Sequence, residues 1–320
     1  MSFVGGGSDM ADYYRHAPGA VISTAINKYI YVTANKKFDR GIRVAYSKTE
    51  EVELVGQLEH KLVRAAMNQL NLQGGVEITT VADIPSKGTG LGSSSSFTVG
   101  LLNTLSAFQG RPSTAEELAA GSCHVEIDVC GEPIGKQDQY AAAYGGFNRY
   151  DFLSDEKVRV TPIIVQPRVL ETLEGNLLML YTGITRSASQ LLEKQGQNLR
   201  QDKNKVATLG KMVDLCDDFQ RVLQEGSPDK VGPILHENWL LKKSLTQGVS
   251  TSVIDEWYDA GRKAGATGGK ILGAGAGGFL LLYAPKENHE RICHALPGLR
   301  PIPFRFERFG SQIIFFNPTA

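Results

Sequence analysis

Pro85-Ser-Lys-Gly-Thr-Gly-Leu-Gly-Ser-Ser-Ser-Ser-Phe97 is the stretch on which the reading of this chain turns. A strand-like run, Val76–Ala82, precedes it, and Ser94–Gln109 continues it as a helix that Gly110 closes. Gly88, Gly90 and Gly92 allow positive φ and let a ligand come close to the backbone. Ser93, Ser94, Ser95 and Ser96 place hydroxyls and amides at a helix start, where the peptide dipoles favour an anion. A helix cap uses one serine, so four in a row present more donors than capping consumes. The segment reads as a phosphate cradle. It is not a Walker A loop: no GxxxxGK[ST] occurs, and the nearest approach, Gly131–Lys136, lacks the spacing and runs into Gln137.

The chain has 35 glycines in 320 residues. That is about 11%, against a usual ~7%, and the excess gathers in two further clusters. Gly273-Ala-Gly-Ala-Gly-Gly278 fits GxGxxG by letter, but Phe279–Tyr283 after it reads as a strand, whereas a dinucleotide fingerprint opens a helix. It reads instead as a loop between strands whose bare backbone lets another segment or a ligand pack close. Phe3-Val-Gly-Gly-Gly-Ser-Asp9 sets a hydroxyl and a carboxylate beside flexible backbone, and on its own is balanced between a ligand site and a frayed terminus.

Composition narrows the class. Lys plus Arg and Asp plus Glu are 34 each, so the formal charge is zero, without the basic footprint of a nucleic-acid binder or an attraction to anionic membranes. With 42% hydrophobic and 21% charged residues, disorder is excluded. The longest apolar runs, such as Phe279–Ala284, fall far short of the ~20 residues that cross a bilayer, and MSFVGGGSD has no signal-peptide character. Cys123, Cys130, Cys216 and Cys293 form no CxxC pair and read as free thiols in a reducing, cytoplasmic setting. Cys123, His124 and Cys130 share one helix with no second ligand pair, which argues against zinc.

At roughly 150 residues per domain, two domains are expected, 1–168 and 169–320, divided in the charged stretch between Pro162 and Gly175. In the first, Ala20–Thr33 reads as one long strand or two short ones, and Ile42–Tyr46 as their partner. Gln57–Leu72 is helical, a capping box at Ser113 opens a helix towards Val129, and Gln137–Ala143 is a short helix before strands near Gly146–Tyr150 and Val158–Ile164. In the second, strands are expected at Asn176–Tyr181, Lys270–Leu272, Gly278–Tyr283, Arg300–Phe306 and Ser311–Phe316. Helices are expected at Leu191–Asn198, Lys205–Gln224, Lys230–Leu245, Val253–Ala264 and Glu287–Ala295. Lys203–Lys205 and Lys242–Lys243 read as solvated helix faces. Helices and strands mix without strict alternation, which is α+β.

Taken in order, GGGSD at 5–9, PxxxGxGLGSSSS at 85–96 and KxxGAGAGG at 270–278 resemble the three motifs of the GHMP kinase superfamily, small-molecule kinases typified by galactokinase, homoserine kinase and mevalonate kinase. The longer strings GGGSDMADYY, PIGKQDQYAAAYGGFN and LYTGITRSAS are similar to one branch, the D-glycero-D-manno-heptose 7-phosphate kinases, and that likeness runs over nearly the whole chain. The resemblance implies an N-terminal domain like the second domain of ribosomal protein S5 and a ferredoxin-like C-terminal domain with added helices. ATP would lie along Pro85, Lys87, Gly88, Gly90, Leu91, Gly92 and Ser93 to Ser96, with a sugar phosphate between the domains. The reaction implied is phosphorylation of the anomeric hydroxyl of the heptose 7-phosphate to the 1,7-bisphosphate, a precursor of nucleotide-activated heptose.

Residue by residue, Asp138 in Gly-Lys-Gln-Asp-Gln139 matches the aspartate set against the attacking hydroxyl. Phosphoryl transfer asks mainly for alignment and charge neutralisation, and an anomeric hydroxyl is acidic enough for a carboxylate to take its proton late. Lys136 would lower that carboxylate's pKa if the two side chains meet. Mg2+ would take Ser94 Oγ and one upstream carboxylate, Glu126 first and Asp128 second. Gly6, Gly7, Ser8 and Asp9 would face sugar hydroxyls. Arg186 and Lys270 would meet the phosphate already on the substrate, with Gly275 and Gly277 beside them.

Members of this branch carry an Arg-containing strand before the GGG motif, where Met1 stands here; activity or solubility of this form would suffer if that Arg serves the phosphoryl site or that strand seals a sheet edge. No nucleic-acid or membrane partner is expected, and the oligomeric state stays open, a homodimer included. Two alternatives remain. One is a kinase of free fucose or galactose. The other is a sugar or nucleotide sensor without turnover, against which Asp138 and the complete Ser93–Ser96 cluster speak.

Overall fold

The computed structural model describes residues 1–84, 90–185 and 188–317. β1 (Ser2–Val4) leads through the tri-glycine loop to a single-turn helix, α1 (Ala11–Tyr14), then to β2 (Gly19–Ile26) and β3 (Ile30–Lys36), so the β-branched run is two strands. β4 (Ile42–Ala45), β5 (Thr49–Val52), α2 (Lys61–Gln69) and β6 (Val76–Ala82) precede α3 (Ser93–Phe108).

α4 (Ala115–Cys123) does open on a capping box, but at Thr114 with Glu117 rather than at Ser113. Glu116, three residues beyond Ser113, is occupied elsewhere: it accepts the hydroxyls of Tyr140 and Tyr144. α4 passes straight into a π-helical turn, His124–Val129. α5 (Gln137–Tyr144), β7 (Phe147–Phe152) and β8 (Val158–Pro162) follow, and the charged stretch marked as a boundary holds a helix, α6 (Pro167–Gly175), with proline in its first turn.

The remainder runs β9 (Leu177–Tyr181), α7 (Ala188–Gln201), α8 (Lys203–Gln224), α9 (Val231–Leu245), α10 (Ser252–Lys263), β10 (Gly268–Ile271), β11 (Phe279–Tyr283), α11 (His289–Ala295), β12 (Arg300–Pro301) and β13 (Phe306–Glu307). Among the described residues no helix is long and apolar enough to cross a membrane.

Three sheets result. The first is β1-β2-β7-β8, with β13 also on β2; the second is β3-β6-β4-β5; the third is β10-β11-β9-β12. β4 and β6 pair in parallel, which needs a crossover, and β5 with α2 supplies it. β9 and β11 are nearly continuous apolar runs because both of their faces are covered.

α8 buries Leu209, Met212, Cys216, Phe219 and Leu223, a three-four spacing that makes one apolar stripe. Phe219 stacks on Phe3 at 5.1 Å, and Phe3 also meets Phe147 edge-on at 5.7 Å and Phe306 at 6.2 Å. With Phe3 and Val4 wholly buried, the tri-glycine loop springs from a fixed strand, which removes the frayed-terminus reading of residues 3–9.

The expected strands at Arg300–Phe306 and Ser311–Phe316 are not formed. Only Arg300–Pro301 pairs, on β9, and Phe306–Glu307, on β2, while 311–316 is irregular, with Ile314 and Phe315 facing outwards. The tail is crossing from the third sheet to the first, and Pro301 and Pro303 lack the N–H that a longer ladder would need.

Candidate active site

α3 begins at Ser93 behind Gly92, which sits in the left-handed region at φ 68° and ψ 28°. Gly92 has no side chain to cap the turn, and the first amides of a helix find no acceptor within it. Ser94 is exposed there while Ser95 and Thr98 turn inwards. Gly90 packs against the third glycine loop: a Cβ on Gly273 would lie 2.5 Å from Gly90 Cα. The central and third loops therefore touch backbone to backbone, with Leu91 half-buried between them. Pro85, Lys87 and Gly88 lie outside the described residues, as does Arg186.

Glu126 is fully buried and faces the same helix start. Ser94 Oγ donates to its Oε1 at 2.6 Å, and Ser95 Oγ and Gln139 Nε2 donate to Oε2 at 2.8 and 2.7 Å. Burial pushes its pKa up, and those hydrogen bonds pull the other way. The π-helical turn separates it from Asp128, which points outwards and pairs with His124 Nδ1 at 3.0 Å. Of the two carboxylates only Glu126 faces the start of α3. Its oxygen and the Ser94 hydroxyl are hard donors, a set that suits Mg2+, which binds through one or two carboxylates and completes its shell with water and phosphate. Among the described residues no three His, Cys, Asp or Glu side chains cluster as a metal site.

Asp138 stands in the first turn of α5, and Asp9 sets that turn. The backbone oxygen of Asp9 accepts Lys136 N at 3.2 Å, its Oδ2 accepts Gln137 N at 3.1 Å, and its Oδ1 accepts Gly7 N at 2.9 Å and Gln137 Nε2 at 3.2 Å. A carboxylate at a helix start is favoured by the dipole. Asp138 then reaches the beginning of α3: a Cβ on Gly92 would lie 3.0 Å from Asp138 Cγ and 3.3 Å from its Oδ2. Asp138 is an exposed residue, with the Gly92 backbone against one side of its carboxyl. Desolvation pushes its pKa up to about 6, with Asp9 and Glu126 adding to the rise and the Met1 amine and Lys270 opposing it.

Several expected roles change. Lys136 does not meet Asp138: its ammonium donates to Glu156 Oε2 at 2.7 Å and lies 4.7 Å from the centre of the Tyr14 ring. Against the upward push of burial, Lys136, Tyr14 and Arg15 hold Glu156 down to about 2. The Ser8 hydroxyl is not free for a sugar, since it donates to Ala20 O at 2.9 Å and accepts Ala20 N at 3.0 Å. Gly275 and Gly277 face chain rather than ligand; Cβ atoms there would lie 2.5 Å from Val249 O and 2.6 Å from Ile184 O.

Lys270 is buried under β1, donating to Ser2 O at 3.0 Å and Phe3 O at 3.2 Å. Burial pushes its ammonium down to about 7, with the charge of Lys242 adding and Asp138 opposing. Lys242 is the other departure. It is buried against Gly6, whereas Lys243 does face outwards, to Asp255 at 2.9 Å. Gly135 was also missed. It lets the 131–136 segment run against Asp9, for a Cβ there would sit 1.9 Å from Asp9 Oδ2.

A family model described as GHMP kinases N terminal domain matches residues 44–146, and one described as GHMP kinases C terminal matches residues 219–299. The D-glycero-alpha-D-manno-heptose 7-phosphate kinase of Campylobacter jejuni is 28% identical over 309 residues, covering 92% of this chain and 90% of that protein. The bifunctional fucokinase/GDP-fucose pyrophosphorylase of Arabidopsis thaliana is 26% identical over 89% of this chain but 29% of its own length. Among solved structures, a D-glycero-D-manno-heptose 1-phosphate kinase from Bacteroides thetaiotaomicron superposes with a TM-score of 0.80 at 26% identity, covering 97% of this chain and 94% of that one. Both halves of the family pattern thus occur in order, on a fold that brings a carboxylate to an open, glycine-rich helix start: the chain belongs to the GHMP kinases, ATP-dependent phosphotransferases that act on an alcohol group.

Proposed function

We propose that this kinase phosphorylates the anomeric hydroxyl of D-glycero-D-manno-heptose 7-phosphate, giving the 1,7-bisphosphate, in the cytoplasm on the way to nucleotide-activated heptose. The observation that carries the chemistry is the approach of Asp138 to the start of α3. The choice of sugar rests on the Campylobacter jejuni relative, which this chain matches over nine-tenths of both lengths. The start of α3 receives the polyphosphate and holds its terminal group towards Asp138. Asp138 accepts a hydrogen bond from the anomeric hydroxyl, aligns its oxygen on the γ-phosphorus and takes the proton as the new P–O bond forms and the bond to the departing ADP oxygen breaks. Ser94 and Glu126 would hold Mg2+, which supplies charge neutralisation on the phosphate oxygens.

The raised pKa of Asp138 gives a signed expectation. Below about pH 6 the carboxyl is protonated and cannot take the proton, so kcat/KM falls on the acid side of that value. A pH–rate profile of the free enzyme reads this directly; a flat profile between pH 5 and pH 7, over which a group titrating at about 6 changes state, overturns the assignment.

The substrate is tested by ADP release with heptose 7-phosphate beside free fucose and galactose at equal concentrations. Turnover of the phosphorylated heptose well above either hexose is expected. Robust turnover of a free hexose with none on heptose 7-phosphate removes the reading.

A further inference from the structure

Glu126 is a buried acid whose partners divide unevenly between its two oxygens. It is 0% exposed, yet among the described residues its hydrogen bonds come from two hydroxyls and one amide, none of them charged. Buried charges are paired or coordinate metals. Oε2 takes two donors, Ser95 Oγ at 2.8 Å and Gln139 Nε2 at 2.7 Å. Oε1 takes Ser94 Oγ at 2.6 Å, and Ser94 is the exposed residue at the start of α3. Ser95 and Gln139 are 3% and 0% exposed. One oxygen is therefore turned into the protein and the other towards the open helix start.

Two local features produce this asymmetry. The π-helical turn His124–Val129 widens the helix where Glu126 stands, and such turns occur frequently at functional sites. On α5, 3.6 residues per turn set neighbouring side chains about 100° apart. Asp138 is accordingly exposed and Gln139, next to it, is buried. The same helical turn that brings the Asp138 carboxyl to Gly92 sends the Gln139 amide to Glu126.

An amide suits that place better than a cation would. A lysine or arginine at 139 could also satisfy Oε2, but it would cancel the charge that attracts a divalent ion. An amide donates without neutralising. The terminal torsion of a glutamate is broad, so a carboxylate without a fixed partner turns either oxygen outwards. Hydrogen bonds from outside the metal's own ligands hold such carboxylates in one orientation. We propose that Gln139 is a positioning residue for the metal: its amide pins Oε2 of Glu126, so that Oε1 and Ser94 Oγ are the pair offered to a divalent cation bound with ATP. The inference rests on the metal-binding role given to Ser94 and Glu126 above, and deepens it by naming the side chain that acts through Glu126.

Gln139→Met tests it, keeping a similar length and removing the amide. AMPPNP, an ATP analogue that is not turned over, is titrated calorimetrically once with Mg2+ and once in EDTA. The wild type should bind it more tightly with Mg2+. In Gln139→Met that gain should shrink about tenfold or more, as loss of a metal ligand's outer partner predicts, with the Kd in EDTA within about twofold of the wild type. In steady-state assays the Mg2+ concentration for half-maximal turnover should rise to match, and the KM for the sugar should stay unchanged. Excess Mg2+ should restore kcat, which it would not do for a misshapen site. Should Gln139→Met fold poorly, Ser95→Ala strips the other donor from Oε2 and carries the same comparison.

An unchanged Mg2+ gain, or equal weakening with and without the metal, overturns the inference. Glu126→Gln is the control and should abolish the gain. If it binds as the wild type does, the metal reading falls and the role of Gln139 with it. A gain lost in Glu126→Gln but intact in Gln139→Met sinks the inference alone.

Discussion

Asp138→Asn binds ATP as the wild type does and turns over about 10²–10⁴-fold more slowly, the usual span for removing a positioned general base. The substitution keeps shape and volume and removes only the ability to take a proton. In the proposed reading nucleotide affinity comes from the start of α3 and the Ser94–Glu126 contact, and an isosteric amide leaves the packing of residue 138 on Gly92 in place. The variant should also lose the part of the acid limb near pH 6 that Asp138 supplies. Steady-state rates across pH and an equilibrium titration with ATP check both halves, and a rate equal to wild type sinks the assignment.

Gly135→Ala is the second large effect, and it comes through geometry alone. The added methyl would fall 1.9 Å from Asp9 Oδ2 and 2.4 Å from Asp9 Cγ, with the Asp9 backbone oxygen at 2.9 Å, so the carboxylate must leave. Asp9 holds Gly7 and the first turn of α5; without it the turn shifts and Asp138 with it. A displacement of about 1 Å in a reacting group costs on the order of 10²-fold, and losing the helix-start acceptor costs about 1 kcal/mol of stability. Gly56→Ala, with nothing within 4 Å and no left-handed φ to strain, should keep most of its activity. Comparable kcat in the two variants would refute this account of Asp9.

What was legible before the structure was local. Three-four spacing gave α8, apolar runs gave β9 and β11, and the serine run after Gly92 gave the start of α3. What was not legible was settled by distant partners. Ser8 is claimed by Ala20, and Lys136 by Glu156, a residue at φ 68° in a turn that no local pattern announces. The Lys242–Lys243 pair was a missed opportunity. Leu235, Asn238, Lys242 and Leu245 fall on one stripe at helical spacing, and all four are buried. A lysine and an asparagine on an apolar stripe are the polar residues to ask about, and adjacency in sequence concealed that one lysine faces in and the other out.

β13 lies against β2, with Phe306 opposite Ile26 and Glu307 opposite Ala25. The aromatic cluster that anchors the tri-glycine loop thus takes a member from near each end of the chain. A nascent polypeptide still short of Phe306 must hold Phe3, Phe147 and Phe219 with one flank open to water. Ends that far apart close slowly, and contacts of such sequence separation delay folding. The tri-glycine loop should therefore become rigid only once residue 306 has been made, and a ribosome stalled before it would display a greasy, unfinished sheet to chaperones.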